Sequence, residues 1–562
     1  MSGLLRFVLT LALLVAGCTL FRQRGFVRAA EADPDAACAS CHGEIYEHYR
    51  KTPMANASGP AIDGVIPADF FHRPSSVRYR VYTDDGNVWM SYDRKDASGS
   101  AEIRNPLKGR KELRFYIGSG KRGRTFLFEQ EGYWFEAPIN WYAKKQLWDM
   151  APNHLADREA PLTMPVDPGC LHCHASDVAD SLPDARNHYA GAPIASGGIH
   201  CSACHGDASA HVASKGRIAI VKPDALLPVR RDSICLNCHL EGETAIDRLG
   251  KKDEDFRPGD NLFEYATFFV DRTEKGSGGR ATSQWEALLQ SECKKKSGDR
   301  MTCTTCHDPH SSPAPEERVM FYRQRCLQCH GEGSFAARHH PDTLDCTGCH
   351  MARSPSSDIA HEQVTDHLVR KRIQEKPLSI ARAGILDAIG GPAASDRELG
   401  LAYAQMAVRG ERDEAARAIE LLSRAEKQAG GAASDDELHS QLGFLEQVSG
   451  HPEEAAAEYE RAIRANPYDS LALGDLALIK ATRHQYAAAE RLWKAAFEHD
   501  PVQIGAGLNV AIMECRIGNR REASEELQRV IEFAPDDEKA QQLQSAIASG
   551  KATCAEPEDN AR

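Results

Sequence analysis

Cys303-Thr304-Thr305-Cys306-His307-Asp308-Pro309-His310, followed soon after by Cys326-Leu327-Gln328-Cys329-His330, decides how this chain is read. The shared pattern is Cys-x-x-Cys-His. It recurs at Cys38/Cys41/His42, Cys170/Cys173/His174, Cys201/Cys204/His205, Cys235/Cys238/His239 and Cys346/Cys349/His350, making seven motifs. Two thiols three positions apart can each form a thioether to one haem vinyl group. The next residue then lies under the ring, where its imidazole reaches the iron. A zinc site needs paired Cys-x-x-Cys units and has no use for His after every second Cys. A thioredoxin-like site needs one such motif in a βαβ unit. The pattern therefore predicts seven covalently bound haem c groups. His42, His174, His205, His239, His307, His330 and His350 are the expected proximal iron ligands.

Seven irons need up to seven ligands on their other faces. The haem region offers His48, Met54, His72, His154, His172, His188, His200, His211, His310, His339, His340, His361 and His367. His310 follows a tight Asp-Pro turn, and His211 follows the third motif closely. His339 and His340 precede the last motif, and His361 and His367 follow it. Among these, His211, His310, His340, His361 and His367 are the expected distal ligands. Met54 competes with His48 near the first motif. Supply exceeds demand, so counting neither requires nor excludes an open iron. Of the other cysteines, Cys293 and Cys515 read as structural, Cys515 as a small buried apolar residue, and Cys554 lies in a polar tail.

The 562 residues carry 68 basic and 81 acidic side chains, a net charge of −13. The length suggests about two to four domains. The charge argues against a broad nucleic-acid-binding surface. The one long apolar stretch, Phe7–Ala16, is too short to span a bilayer comfortably and reads as the core of an export signal over residues 1–17. It ends Val15-Ala16-Gly17-Cys18, which resembles a bacterial lipobox and implies a lipidated Cys18 holding the protein at a membrane facing the periplasm or cell surface. Plain secretion is the alternative.

A linker over 18–36 and a first haem segment over 37–67 precede an insert. Val77–Tyr82, Val88–Tyr92, Leu113–Ile117, Thr125–Phe128 and Tyr133–Phe135 are aromatic and β-branched, with Asp85-Gly86 and Gly132 between them. They predict a small antiparallel β-domain over 68–150. Gly118-Ser119-Gly120-Lys121-Arg122-Gly123 is formally GxGxxG, but strand-like residues follow it, so a glycine hairpin is expected. Lys108, Arg110, Lys111, Arg114, Lys121, Arg122 and Arg124 form a basic cluster, read first as a solvated face and otherwise as partners for anions.

Haems two to seven occupy 151–370, and 371–395 reads as a linker. Beyond it, Pro467, Pro501 and Pro535 repeat every 34 residues, as do Ala455, Ala489 and Ala523, and Tyr459, Trp493 and Leu527. That period, with small residues at helix contacts, is the tetratricopeptide (TPR) signature. It predicts an α-solenoid over 396–545, its first unit degenerate at about 396–429, then a tail over 546–562. Such a solenoid presents a groove for a protein or peptide.

Cys38-Ala39-Ser40-Cys41-His42-Gly43-Glu44-Ile45-Tyr46, Cys306–His310 and Cys349-His350-Met351-Ala352-Arg353 with Asp366-His367 resemble the doubled-CXXCH multihaem cytochromes, the superfamily of cytochrome c-554, pentahaem nitrite reductase and hydroxylamine oxidoreductase. The resemblance covers about 37–370. It implies closely stacked, mostly bis-His haems used for electron transfer. Nitrite reductases of this group replace one proximal His by Lys, and no CxxCK occurs here. The expected protein is multidomain: a haem-packed, mainly α and irregular region with a small β insert, then TPR hairpins. Its expected role is electron transfer, with the repeats docking a redox partner. The alternative is an oxidoreductase acting on a small nitrogen or sulfur compound at one five-coordinate haem.

Overall fold

The computed structural model describes residues 33–94, 106–273, 283–331, 343–353, 365–371, 382–410, 412–430, 435–551 and 554. The export signal, Cys18, His339, His340 and His361 lie outside them. Among the described residues, no helix is long and apolar enough to cross a membrane.

The first motif rides on α1 (Ala36–Tyr49), which kinks at His42. The β insert follows: β1 (Ser58–Pro60), β2 (Ala68–His72), β3 (Val77–Asp84), β4 (Asn87–Arg94), β5 (Leu107–Ile117), β6 (Gly123–Gln130), β7 (Tyr133–Glu136), β8 (Ile139–Tyr142) and β9 (Leu147–Met150). They form one antiparallel, barrel-like sheet in the order β2-β3-β4-β5-β6-β8-β9, with β1 on β5 and β7 on β6. It begins about ten residues earlier than the sequence suggests, because short β1 pairs Ser58 with Ile117. Alternation sets the faces. Val77, Tyr79 and Val81 of β3 are buried, whereas Arg78 and Arg80 are exposed. Asp85 and Gly86 both take positive φ, as a two-residue hairpin turn requires. The glycine-rich segment is a β5–β6 hairpin, with Gly118 at φ 93° and Gly120 at φ 79°.

The motif-bearing helices are short: α2 (Pro168–His174), α3 (Ser202–His205), α4 (Pro228–His239), α5 (Cys303–Cys306), α6 (Arg318–His330) and α7 (Cys346–His350). α2 buries Leu171 and α4 buries Ile234 and Leu236, whereas α3, α5, α6 and α7 bury no residue. A second sheet joins this region to the repeats, with β10 (Thr244–Asp247), β11 (Ala266–Thr273) and β12 (Arg382–Ile389) antiparallel in that order. The expected linker thus contains a strand. Its Leu386 N–H donates to Tyr403 Oη at 3.0 Å, tying it to the first repeat helix.

The repeats are α8 (Asp396–Val408), α9 (Ala415–Ala429), α10 (Asp436–Val448), α11 (Pro452–Ala465), α12 (Ser470–Thr482), α13 (Tyr486–His499), α14 (Ile504–Arg516), α15 (Arg520–Phe533) and α16 (Glu538–Ala548). Ala455, Ala489 and Ala523 are fully buried, and Tyr459, Trp493 and Leu527 pack beside them, so the 34-residue register is a packing register. A Cβ on Gly443 would lie 2.8 Å from the Tyr459 ring, so α10 and α11 approach too closely there for any side chain.

The far end of the solenoid returns to the β insert. Phe533 sits inside the insert's core. Tyr133 Oη donates to the His499 carbonyl at 3.1 Å. Arg94, 5% exposed, pairs with Asp536, 4% exposed, which also accepts from Ala160 N–H at 2.8 Å. The helical region is therefore held at both ends.

Two cysteines read separately in the sequence are joined: Cys515 of α14 and Cys554 form a disulfide. Cys515 is buried as expected, but as one half of a staple on the tail. Cys515→Ser is expected to lower stability by about 2–4 kcal/mol, read by thermal unfolding with and without reductant. Reductant should erase the difference between the variant and the parent.

Where β10 meets the repeats, burial and then Asp253 push Asp247 up from 3.8 to about 7. Glu437 and Arg186 also face it, and Arg397 donates to its backbone carbonyl. The folded state therefore binds this proton more tightly than the unfolded chain. The resulting stability is complete below about pH 4 and is lost as pH rises through about 7. Asp247→Asn is expected to flatten that part of the pH–stability profile.

Candidate functional site

Motifs two to seven surround one cavity of about 2430 Å³. Cys173, Cys204, Cys235, Cys238, Cys303, Cys306, Cys326 and Cys329 line it, with His174, His239, His307, His330 and His367. All fourteen motif cysteines are free thiols. A cavity this large, ringed by motif thiols and imidazoles, suits several flat, apolar prosthetic groups.

The histidines are oriented for metal binding. His174 Nδ1 meets the Ala57 carbonyl at 3.3 Å, His205 Nδ1 the Val221 carbonyl at 2.9 Å, and His350 Nδ1 the Arg370 carbonyl at 2.6 Å. A carbonyl only accepts, so Nδ1 carries the proton and Nε2 is the basic nitrogen. This is the usual support of a ligating imidazole. Burial holds His239, His307, His310 and His367 below the usual imidazole range, in the neutral form that ligates a metal.

Two cross-motif pairs stand out by geometry. The His205 and His310 rings lie 6.1 Å apart, 7° from parallel. The His307 and His367 rings lie 6.4 Å apart at 28°, with His367 Nδ1 2.7 Å from the Thr365 carbonyl. Two imidazoles sharing one iron through bonds of about 2.0–2.1 Å have ring centres roughly 6.3 Å apart. The residues fit haem c.

The thiols of different motifs also meet. Cys38 and Cys201 sulfurs lie within 4.8 Å. Cys173 contacts Cys238 and the Asn237 carbonyl, and His172 Nε2 bonds the Asn237 amide at 2.7 Å. Cys235 lies near Cys303, and Cys326 near Cys346.

Other candidates have different partners. His72 is buried with both nitrogens engaged, by Ser75 Oγ and the Leu155 carbonyl. His200 is engaged by Asp35 and Ser196. His154 pairs with Asp157, and His188 with Asp184. His211 Nδ1 meets the Ile218 carbonyl at 2.7 Å, the same support as a proximal ligand, at the protein surface. Met54 borders the cavity, and His48 is exposed on α1. The basic cluster divides. Arg124 donates to the Gly64 and Gly118 carbonyls, Arg110 lies over Trp89, and Arg122 borders the cavity. The carbonyl supports and the pairing of a histidine with a distant motif have no signature in spacing, because each depends on chain reversal far away.

Comparison with protein families matches the doubled CXXCH motif over residues 296–335. Comparison with curated proteins finds no match. Solved structures similar to the chain include MamA of AMB-1, with 16% identity over 28% of this chain and 82% of that one and a TM-score of 0.24. A MamA RS-1 double mutant gives 17% identity over 28% and 86%, TM-score 0.24. A tetratricopeptide repeat protein from Parabacteroides merdae ATCC 43184 gives 17% over 27% and 58%, TM-score 0.24. The helical hairpins here are defined by their own buried 34-residue register. The chain thus joins the doubled CXXCH motif of multihaem c-type cytochromes to a TPR-like helical region.

Proposed function

We propose that this protein is an exported heptahaem electron-transfer cytochrome whose repeats dock a redox partner. The observation that carries the reading is the near-parallel His205/His310 pair, whose ring centres lie 6.1 Å apart. His205 and His307 would serve as proximal ligands, with His310 and His367 as the second ligands of the same groups. The other motif histidines are proximal ligands of their own haems. His211, His340 and His361 are further distal ligands.

When bound, haem c supplies a one-electron iron couple. The chain's own residues do the rest. Paired cysteines would tether each ring, and backbone carbonyls hold His174, His205, His350 and His367 by Nδ1. Where two fixed imidazoles hold one iron, coordination would stay unchanged between oxidation states, which favours fast transfer. Export is supported by the disulfide, a bond that persists in oxidising compartments. A lipid on Cys18 would keep the protein at the membrane.

The test is a pyridine haemochrome assay with intact mass on protein matured in a periplasm. Seven haems per chain are expected. A mass equal to the bare processed chain would refute the proposal, and a dominant high-spin ferric signal would favour an open catalytic iron.

A further inference from the structure

Resting on that reading, we propose that Ser58 and the Ala57 carbonyl clamp His174 from outside its own motif, so that the β insert sets the ligand geometry and the reduction potential of the second haem. Ser58 is a positioning residue: it acts on the ligand, and the ligand acts on the metal.

The motif histidines draw their support from near and from far along the chain. His205 and His350 are held by carbonyls 16 and 20 residues further on, in the segments that follow their own motifs. His174 is held by a carbonyl 117 residues earlier, at the edge of the β insert. That carbonyl is not free to follow the imidazole. It also accepts the Gly118 N–H at 2.7 Å, against 3.3 Å for His174 Nδ1. An N–H···O contact weakens with length, so the shorter bond decides where the oxygen sits. The next residue, Ser58, pairs with Ile117 in the β1–β5 ladder and fixes the same stretch of chain. The glycine hairpin at 118–123 therefore holds the carbonyl, and the imidazole must come to it.

Ser58 supplies the second grip. It is 3% exposed, and its hydroxyl donates to the His174 carbonyl at 2.7 Å. A hydroxyl has one proton and two lone pairs. The Ser58 oxygen accepts the Gly198 N–H at 2.9 Å, so its proton is committed to His174. The ligand is thus gripped at its backbone by Ser58 and at its ring by Ala57. Two contacts from adjacent residues fix how the imidazole is turned, where one would leave it free to pivot. The bond at Nδ1 also sets how basic the ligating nitrogen is. A more basic imidazole favours ferric iron, so weakening that bond raises the potential.

The test uses the full-length, haem-loaded protein in a potentiometric titration followed by EPR and visible absorbance. The low-spin signal and midpoint missing from a Cys170→Ala/Cys173→Ala protein, which carries six haems, mark the second haem. In Ser58→Ala the His174 backbone is released and its ring draws away from Ala57. The marked signal is expected to broaden and its midpoint to rise, with seven haems retained and the other midpoints moved far less. Ser58→Thr keeps the hydroxyl and should keep the parent's signal. A second variant, Gly59→Ala, acts on the same clamp without removing a partner: its Cβ would lie 2.9 Å from the Tyr116 ring and push β1 off β5. It should move the same signal in the same direction. An unmoved second-haem signal in both Ser58→Ala and Gly59→Ala would overturn the clamp. So would an equal shift of every haem, which reports general loosening. A parent protein with fewer than seven haems refutes the underlying reading instead.

Discussion

His310→Ala is expected to convert one low-spin haem in seven to a high-spin, five-coordinate one. The His205 ring would keep its Val221 support at 2.9 Å and still bind iron, but nothing would occupy the place 6.1 Å across from it. Magnetic circular dichroism and EPR read the change directly: one new high-spin ferric signal, with the total haem count unchanged. Added imidazole should restore the low-spin state, which an unfolding defect would not permit. His154→Gln is the control. That histidine is committed to Asp157 at 2.6 Å and should leave every haem spectrum unaltered. Unchanged spin state in His310→Ala would remove the geometric basis for the pairing.

Arg94→Ala is expected to cost about 3–5 kcal/mol, because it leaves Asp536 charged and buried without its partner. Asp536 keeps only the Ala160 N–H, at 2.8 Å. The lost energy is concentrated where the last repeats meet the β insert, so protease sensitivity should rise near 533–537 before the haem region is affected. Arg94→Met/Asp536→Leu removes both charges and should recover most of the loss, since an apolar pair of similar volume often matches a buried ion pair. Thermal unfolding of the three proteins checks this. Equal stability of Arg94→Ala and the parent would mean that the junction carries no load.

What was legible in the sequence was what repeats or alternates. The haem motifs, the strands of the insert and the 34-residue helical register each express a local period. The strands follow from residues two positions apart and the helices from residues three or four apart, and the structure reproduces both. The glycine hairpin at 118–123 was likewise readable, because its glycines lead into strand formers. Pairings across long intervals were not readable. Val221 supports His205, His367 reaches His307, and Asp536 meets Arg94 across more than four hundred residues. None leaves a pattern within a window of sequence. The strand Arg382–Ile389 was missed for the same reason: its role is to edge a sheet whose other strands lie over a hundred residues earlier. The disulfide was a nearer miss, since Cys515 and Cys554 were the two cysteines left over in the C-terminal region.

Because the helical region is fastened at Tyr403 and again at Phe533 and Asp536, its span is fixed by two abutments. An open solenoid can lengthen by duplicating a unit without disturbing its neighbours. A bridge between piers cannot, since one extra 34-residue unit would carry the far abutment off its seat. The number of repeats is thus as constrained as a keystone arch, and any cargo cradled there is held at a set reach from the metal centres.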